Sequence, residues 1–155
     1  MFGLTTGKLD YARRFGMTHG VNAAAEDPLT AIGLLTAGRG VDFAFEASGN
    51  LQAMEQAFAV LGRGGAAIIA GIPAFREAAR LALPIMPFYT DRSVRGSYYG
   101  SANLWRDIPM LVDLYLDGRL NLDDQVRRGY ALDEINQAFA DLAGGAPGRG
   151  VIVFD

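Results

Sequence analysis

The chain has 155 residues, half of them hydrophobic and 20% charged, which is the balance of one compact globular domain and not of a disordered chain. A net charge of -3 provides no basic field for nucleic acid or anionic lipid, and the absence of cysteine excludes disulfides and thiolate zinc sites within this sequence. No apolar run approaches the roughly 20 residues of a membrane span and no signal-peptide pattern opens the chain, so the expected location is cytoplasmic.

In chain order, residues 1–4 read as a short apolar strand, followed by a Thr-Thr-Gly turn. LDYARRFG (9–16) reads as a helix with Leu9, Ala12 and Phe15 on one face and Gly16 ending it. A short apolar stretch surrounds Val21. Asp27-Pro28 is an N-cap followed by proline at the first helical position, and the helix stops in AGRG (37–40). VDFAFEAS (41–48) reads as a buried strand, and GNLQAMEQAFAVL (49–61) as a helix capped by Asn50. GRGG (62–65) reads as a turn into the apolar strand AAIIAGI (66–72). LALPIMPF (81–88) suits a loop or turn because of its two prolines, and SVRGSYYG (93–100) is strand-like. The spacing predicts helices over 107–120, with Pro109 in the first turn and Gly118 past the end, and over 132–145, with Leu132, Ile135, Phe139 and Leu142 facing inward. GVIVFD (150–155) closes as a strand. Strands apolar on both faces, alternating with amphipathic helices, predict an α/β fold with a covered parallel sheet.

Few residues suggest chemistry by themselves. His19 is the only histidine and reads as a solvated or packed turn residue, so no metal cluster or Ser-His-Asp set is visible. Glu46 has two readings. It ends an apolar strand, where ligands bind in open parallel sheets, and a carboxylate there equally suits accepting hydrogen bonds from neighbouring backbone. GRGG precedes a strand instead of opening a helix, so it lacks the helix N-terminus that holds phosphate.

Four stretches together carry a resemblance: KLDYARRFGMTHGVNA; GRGVDFAFEASGN; GGAAIIAGIP; and RSVRGSYYGSANLWRDIPMLVDLYLDGRLNLDD with the following LDEINQAFADL and RGVIVFD. In order and spacing they resemble the C-terminal part of the zinc-dependent alcohol dehydrogenases, in the medium-chain dehydrogenase/reductase family, over nearly the whole chain. The resemblance implies an incomplete Rossmann-like parallel sheet with helices on both faces. Residues 1–97 would be a partial dinucleotide-binding domain from its second strand, and 98–155 its end plus the segment that rejoins the catalytic domain. It also implies an oxidoreductase that passes hydride between an alcohol or aldehyde and NAD or NADP, with zinc as Lewis acid. The zinc ligands, the GxGxxG turn and the GroES-like domain are expected in sequence preceding Met1, so no metal ligand or catalytic residue is assigned within the 155 residues and the chain alone is expected to be inactive.

Position by position, the resemblance implies cofactor contacts. Lys8 corresponds to a lysine reaching the adenosine ribose. Gly3 stands where NAD-preferring members place an aspartate, and with Leu4 and Thr5 it leaves room for a 2′-phosphate, which keeps NADP open. Ala47 and Ser48 correspond to positions lining the adenine-to-nicotinamide cleft. Ala70, Gly71 and Ile72 correspond to a segment whose backbone meets the carboxamide, and Ser97, Tyr98 and Tyr99 to a second such segment. Arg149 corresponds to an arginine that pairs with pyrophosphate; taken alone it reads equally as a solvated loop residue. The Rossmann order 3-2-1-4-5-6 puts strand 1 at the centre, so its absence is expected to leave 1–4 and 41–48 separated by a gap or paired directly. Three alternatives accompany this reading. They are a non-catalytic module that pairs with a homologous subunit or forms a homo-oligomer through the sheet edge near SVRGSYYG, a thiol-dependent formaldehyde dehydrogenase fragment, and a remnant without a stable fold.

Overall fold

The computed structural model describes residues 2–3, 6–73 and 79–154. Met1, Leu4, Thr5 and Asp155 lie outside them, and with them the outer ends of the first and last predicted strands and the side of Gly3 formed by Leu4 and Thr5. By compactness the chain divides into one unit of residues 25–102 and another of residues 1–24 with 103–155.

The 25–102 unit is a three-stranded parallel sheet with two helices. Helix α2 (Pro28–Leu35) starts where Asp27 accepts the Thr30 N–H, and α3 (Leu51–Ala59) where Asn50 accepts that of Ala53. Both caps are where the sequence places them, because a short polar side chain in extended backbone satisfies an N–H that the first helical turn cannot. Strands β3 (Val41–Glu46), β4 (Leu61–Ile69) and β5 (Ser93–Gly96) are all parallel, with β4 in the centre. The core of this unit is Ala57, Phe58, Leu61 and Ala67, with Val41, Ala44, Leu83 and Val94 against it. The Phe58 ring stacks on Phe88 at 4.7 Å.

Two expectations for this unit are revised. GRGG is not a turn before the strand but lies within β4: the pairing register steps from Val41↔Leu61 to Phe43↔Ala66, so 62–65 bulge out of the ladder and the strand resumes. VDFAFEAS is not buried on both faces. Among the described residues strand β3 pairs with β4 alone, and Phe43 and Phe45 are 64% and 73% exposed while Ala44, pointing the other way, packs on the core. An apolar run records where a chain can be buried, and the neighbouring elements decide which face is covered.

The second unit contains strands β1 (Phe2–Gly3) and β2 (Val21–Asn22), paired in parallel, and helix α1 (Thr6–Arg13) between them. Leu9 and Ala12 of α1 are buried, as their spacing implies, and Gly16 with a φ of +85° follows the helix end. Helix α4 (Leu104–Leu116) begins three residues earlier than the pattern predicts, so Pro109 lies in its interior instead of its first turn. Asn103 sets the start: its carbonyl accepts the Asp107 N–H and its own N–H donates to the Asp107 carboxylate at 2.9 Å. Strands β6 (Val126–Tyr130) and β7 (Arg149–Ile152) pair in parallel and flank helix α5 (Ile135–Ala143). The inward face predicted for 132–145 is overturned: Leu132, Ile135, Phe139 and Leu142 are 55%, 37%, 64% and 68% exposed. Periodicity aligns these side chains on one face, but the two strands beside α5 are too small a surface to cover it.

Among the described residues the strands form three separate sheets, and no ladder joins β1 to β3. Of the direct pairing considered for residues 1–4 and 41–48, none is formed by the described residues Phe2–Gly3.

One network holds α5 to β6. The buried Tyr130 hydroxyl donates to Asp141 at 2.7 Å, Gln137 donates to it at 2.7 Å, and Arg128 pairs with it at 3.1 Å. The Tyr130 hydrogen bond, then that of Gln137, hold the Asp141 carboxyl below its ordinary 3.8, with Arg128 adding in the same direction. A depressed folded-state pKa stabilises the fold at pH above the ordinary value, and that contribution disappears as pH falls through the depressed one. Acidification below pH 4 should thus loosen α5 against β6 before the 25–102 sheet changes, read as early shifts of the Tyr130 ring signals in an NMR pH titration. Unchanged Tyr130 signals down to the global acid transition would contradict this.

Candidate functional site

The 25–102 unit brings eight of the predicted residues to one edge. Because β3, β4 and β5 run parallel and Glu46 pairs with Ile69, which pairs with Gly96, all three strands end at the same level. Ala47–Ser48, Ala70–Ile72 and Ser97–Tyr99 are the residues that follow those ends. Open parallel sheets bind ligands at this edge, where the chain leaves each strand and backbone groups become available. Ser97 continues the pairing by donating its N–H to Ile69 O at 2.8 Å. Ala47, Ser48, Ala70, Ile72, Tyr98 and Tyr99 are exposed there, Ile72 by 71% and both tyrosines by more than three quarters. The two tyrosine rings meet edge to face at 4.9 Å. Tyr99 has φ +49°, a left-handed backbone uncommon for an aromatic residue, and the same turn carries Gly100 and Ser101 at positive φ.

Glu46 resolves in favour of its backbone reading. It is 4% exposed, and its Oε1 accepts from Ser48 N at 2.6 Å, Ser48 Oγ at 2.5 Å and Gly49 N at 3.0 Å. Its carbonyl accepts from Ala70 and Gly71.

In the other unit Gly3 is the last residue of β1, Lys8 lies in the first half of α1 and Arg149 opens β7. Lys8 and Arg149 approach the same connection. A side chain at Gly145 would begin 3.3 Å from Lys8 Nζ, and Ala146–Gly148 line both the roughly 620 Å³ cleft of Lys8, Tyr11, Phe15 and His19 and the roughly 300 Å³ cavity that includes Arg149. The α1 residues face this cleft because 8, 11, 12 and 15 share one helical face. Tyr11 fixes that face by donating to Asp124 O at 2.7 Å, and the Arg127 guanidinium sits 5.7 Å from its ring. His19 Nδ1 lies 3.1 Å from Thr18 Oγ1, as befits a turn residue.

The residues present do not fit a zinc ion: the sequence has no cysteine and one histidine, and among the described residues no three His, Asp or Glu side chains gather into a possible ligand set. Among the same residues no helix is long and apolar enough to cross a membrane.

Parallel strands joined through helices, with their ends level at one edge, are the layout of an open α/β sheet. A family model described as zinc-binding dehydrogenase matches residues 2–117. The chain belongs to the zinc-binding dehydrogenase family. It is 33% identical to an alcohol dehydrogenase class-3 of Cereibacter sphaeroides, over 97% of this chain and 42% of the relative. It is 31% identical to an S-(hydroxymethyl)glutathione dehydrogenase of Paracoccus denitrificans over the same shares. The solved structure of benzyl alcohol dehydrogenase from Acinetobacter calcoaceticus superposes with a TM-score of 0.91 at 30% identity, over 99% of this chain and 42% of that one. The chain thus spans about two fifths of the length of the zinc-binding dehydrogenases it matches.

The site features that sequence reading missed are the glycine contacts. Gly49 and Gly71 place the two strand-end segments backbone against backbone. The only signal in the sequence is that one glycine follows each strand within three residues, which by itself marks any turn.

Proposed function

We propose that this chain is the nicotinamide-coenzyme-binding portion of a zinc-dependent alcohol dehydrogenase, with the Rossmann part over 1–97 and the remainder leading back to the catalytic domain. The observation that carries it is the common level of the β3, β4 and β5 ends, which sets Ala47–Ser48, Ala70–Ile72 and Ser97–Tyr99 on one exposed edge. These residues suit the nicotinamide end: exposed backbone and small side chains allow close approach of a planar amide, and the tyrosines offer ring faces. Lys8 and Arg149 suit the ribose and pyrophosphate, as cations beside the glycine-containing 145–148 connection. Gly3 offers no carboxylate against a 2′-phosphate, so NADP is admitted beside NAD.

When bound, the coenzyme supplies the hydride acceptor. The chain's own residues seat and orient it, and alcohol oxidation belongs to a longer protein or an assembly that includes zinc ligands. A formaldehyde-type substrate carried on a thiol is a second reading, supported by the glutathione-linked relative.

Saturation-transfer NMR of the chain with NADH tests the assignment. Lys8→Ala and Arg149→Ala are each expected to weaken the adenosine-side signals about tenfold or more, the loss of one charge-assisted contact of about 1.5–3 kcal/mol. Undiminished NADH signals in the double variant would reject these two residues as contacts.

A further inference from the structure

We propose that Glu46 is a positioning residue, clasping the β3–α3 turn to the exit of β4 so that the two coenzyme-facing segments keep a fixed spacing. The proposal rests on the coenzyme reading above.

A carboxylate is costly to bury unless it is hydrogen-bonded. Glu46 is buried, and it compensates Oε1 alone, with three donors from Ser48 and Gly49. Oε2 is buried without a hydrogen-bond partner and faces Gly71, where an added Cβ would lie 2.5 Å from it. A side chain whose sole role was to cap the turn could do so from an exposed Ser or Asn without orphaning an acceptor. Residue 46 is where both segments meet, and its carboxylate adds a buried hold on the turn with Oε2 packed against Gly71. Its side chain binds the turn, and its main-chain carbonyl accepts Ala70 N at 2.8 Å and Gly71 N at 3.0 Å. Glycines complete the contact: a Cβ on Gly71 would strike Gly49 N, and one on Gly49, whose φ is +75°, would strike Ile72 O. Five proposed coenzyme residues, Ala47, Ser48, Ala70, Gly71 and Ile72, therefore lie on two segments that meet at residue 46, where the carboxylate holds the turn, the main-chain carbonyl holds the exit of β4 and two glycines permit the close approach.

Rigid support of this kind affects ligand groups that need both segments and leaves distant subsites alone. The test uses the full chain as wild type, Glu46→Ala, Glu46→Gln and Gly49→Ala, with circular dichroism for folding. Reduced nicotinamide mononucleotide and AMP are the separate probes, read by saturation-transfer NMR. Opening the clasp by either Glu46→Ala or Gly49→Ala should weaken the nicotinamide mononucleotide about fivefold or more and leave AMP within about twofold. Glu46→Gln keeps an acceptor at Oε1 and should recover most of the loss. In Glu46→Ala the amides of Ala70 and Gly71, bonded to the main chain of residue 46 and not to its side chain, should exchange faster along with those of Ser48 and Gly49. If only Ser48 and Gly49 respond, or if both ligands weaken equally, the residue is a local structural one and the proposal is overturned. Where one of these two variants does not fold, the other carries both measurements. A wild-type chain that shows no signal from the mononucleotide overturns the coenzyme reading itself, whereas exchange at Ala70 and Gly71 reports on the clasp independently.

Discussion

By isothermal titration, a polypeptide of these 155 residues should bind NADH at least about a hundredfold more weakly than a full-length zinc-binding dehydrogenase does. The sequence contains no GxGxxG turn, the element that presents several main-chain N–H groups to a pyrophosphate at a helix N-terminus. Hydrogen bonds to a charged group contribute about 1.5–3 kcal/mol each. Two of them amount to about 3–6 kcal/mol, and every 1.4 kcal/mol is tenfold in affinity. The strand arrangement adds to the effect. Among the described residues β1 and β3 share no ladder, and a continuous sheet is what orders a dinucleotide site. Saturable binding in the low micromolar range would show that neither the turn nor a continuous sheet is required.

The second large effect is on stability. Phe58→Ala should cost about 3–5 kcal/mol, the range for removing a buried aromatic ring, from a total that for a small domain is about 5–15 kcal/mol. Phe58 is fully buried in the cluster with Ala57, Leu61 and Ala67 and stacks on Phe88, so its removal opens a cavity in the core of this unit. Trp105→Ala, at a larger residue, should change stability by less than about 0.5 kcal/mol, because Trp105 is 94% exposed on α4. Urea denaturation followed by circular dichroism measures both. Comparable losses for the two variants would mean that the α4 surface is covered in solution.

That comparison also shows where sequence reading succeeds. The caps at Asp27 and Asn50 and the breaks at Gly16 and Gly118 were legible because each depends on residues within one turn of helix. The start of α4 was not, since it rests on a reciprocal Asn103–Asp107 pair that resembles any polar stretch. Burial of Phe43, Phe45 and the α5 stripe was misjudged for a different reason: a pattern states which residues share a face and is silent about what lies opposite.

The candidate site divides the same way. Family membership, the α/β class and the identity of the strand-end residues are written in the order and spacing of local segments, each of which a short stretch of chain encodes. The level alignment of Glu46, Ile69 and Gly96, the approach of Lys8 to the 145–148 connection and the contact of Gly49 with Gly71 were decided only by the tertiary structure. They depend on pairings between residues 20 to more than 100 positions apart, whose distances are set by hydrogen-bond register and backbone sterics and leave no periodic trace in the sequence.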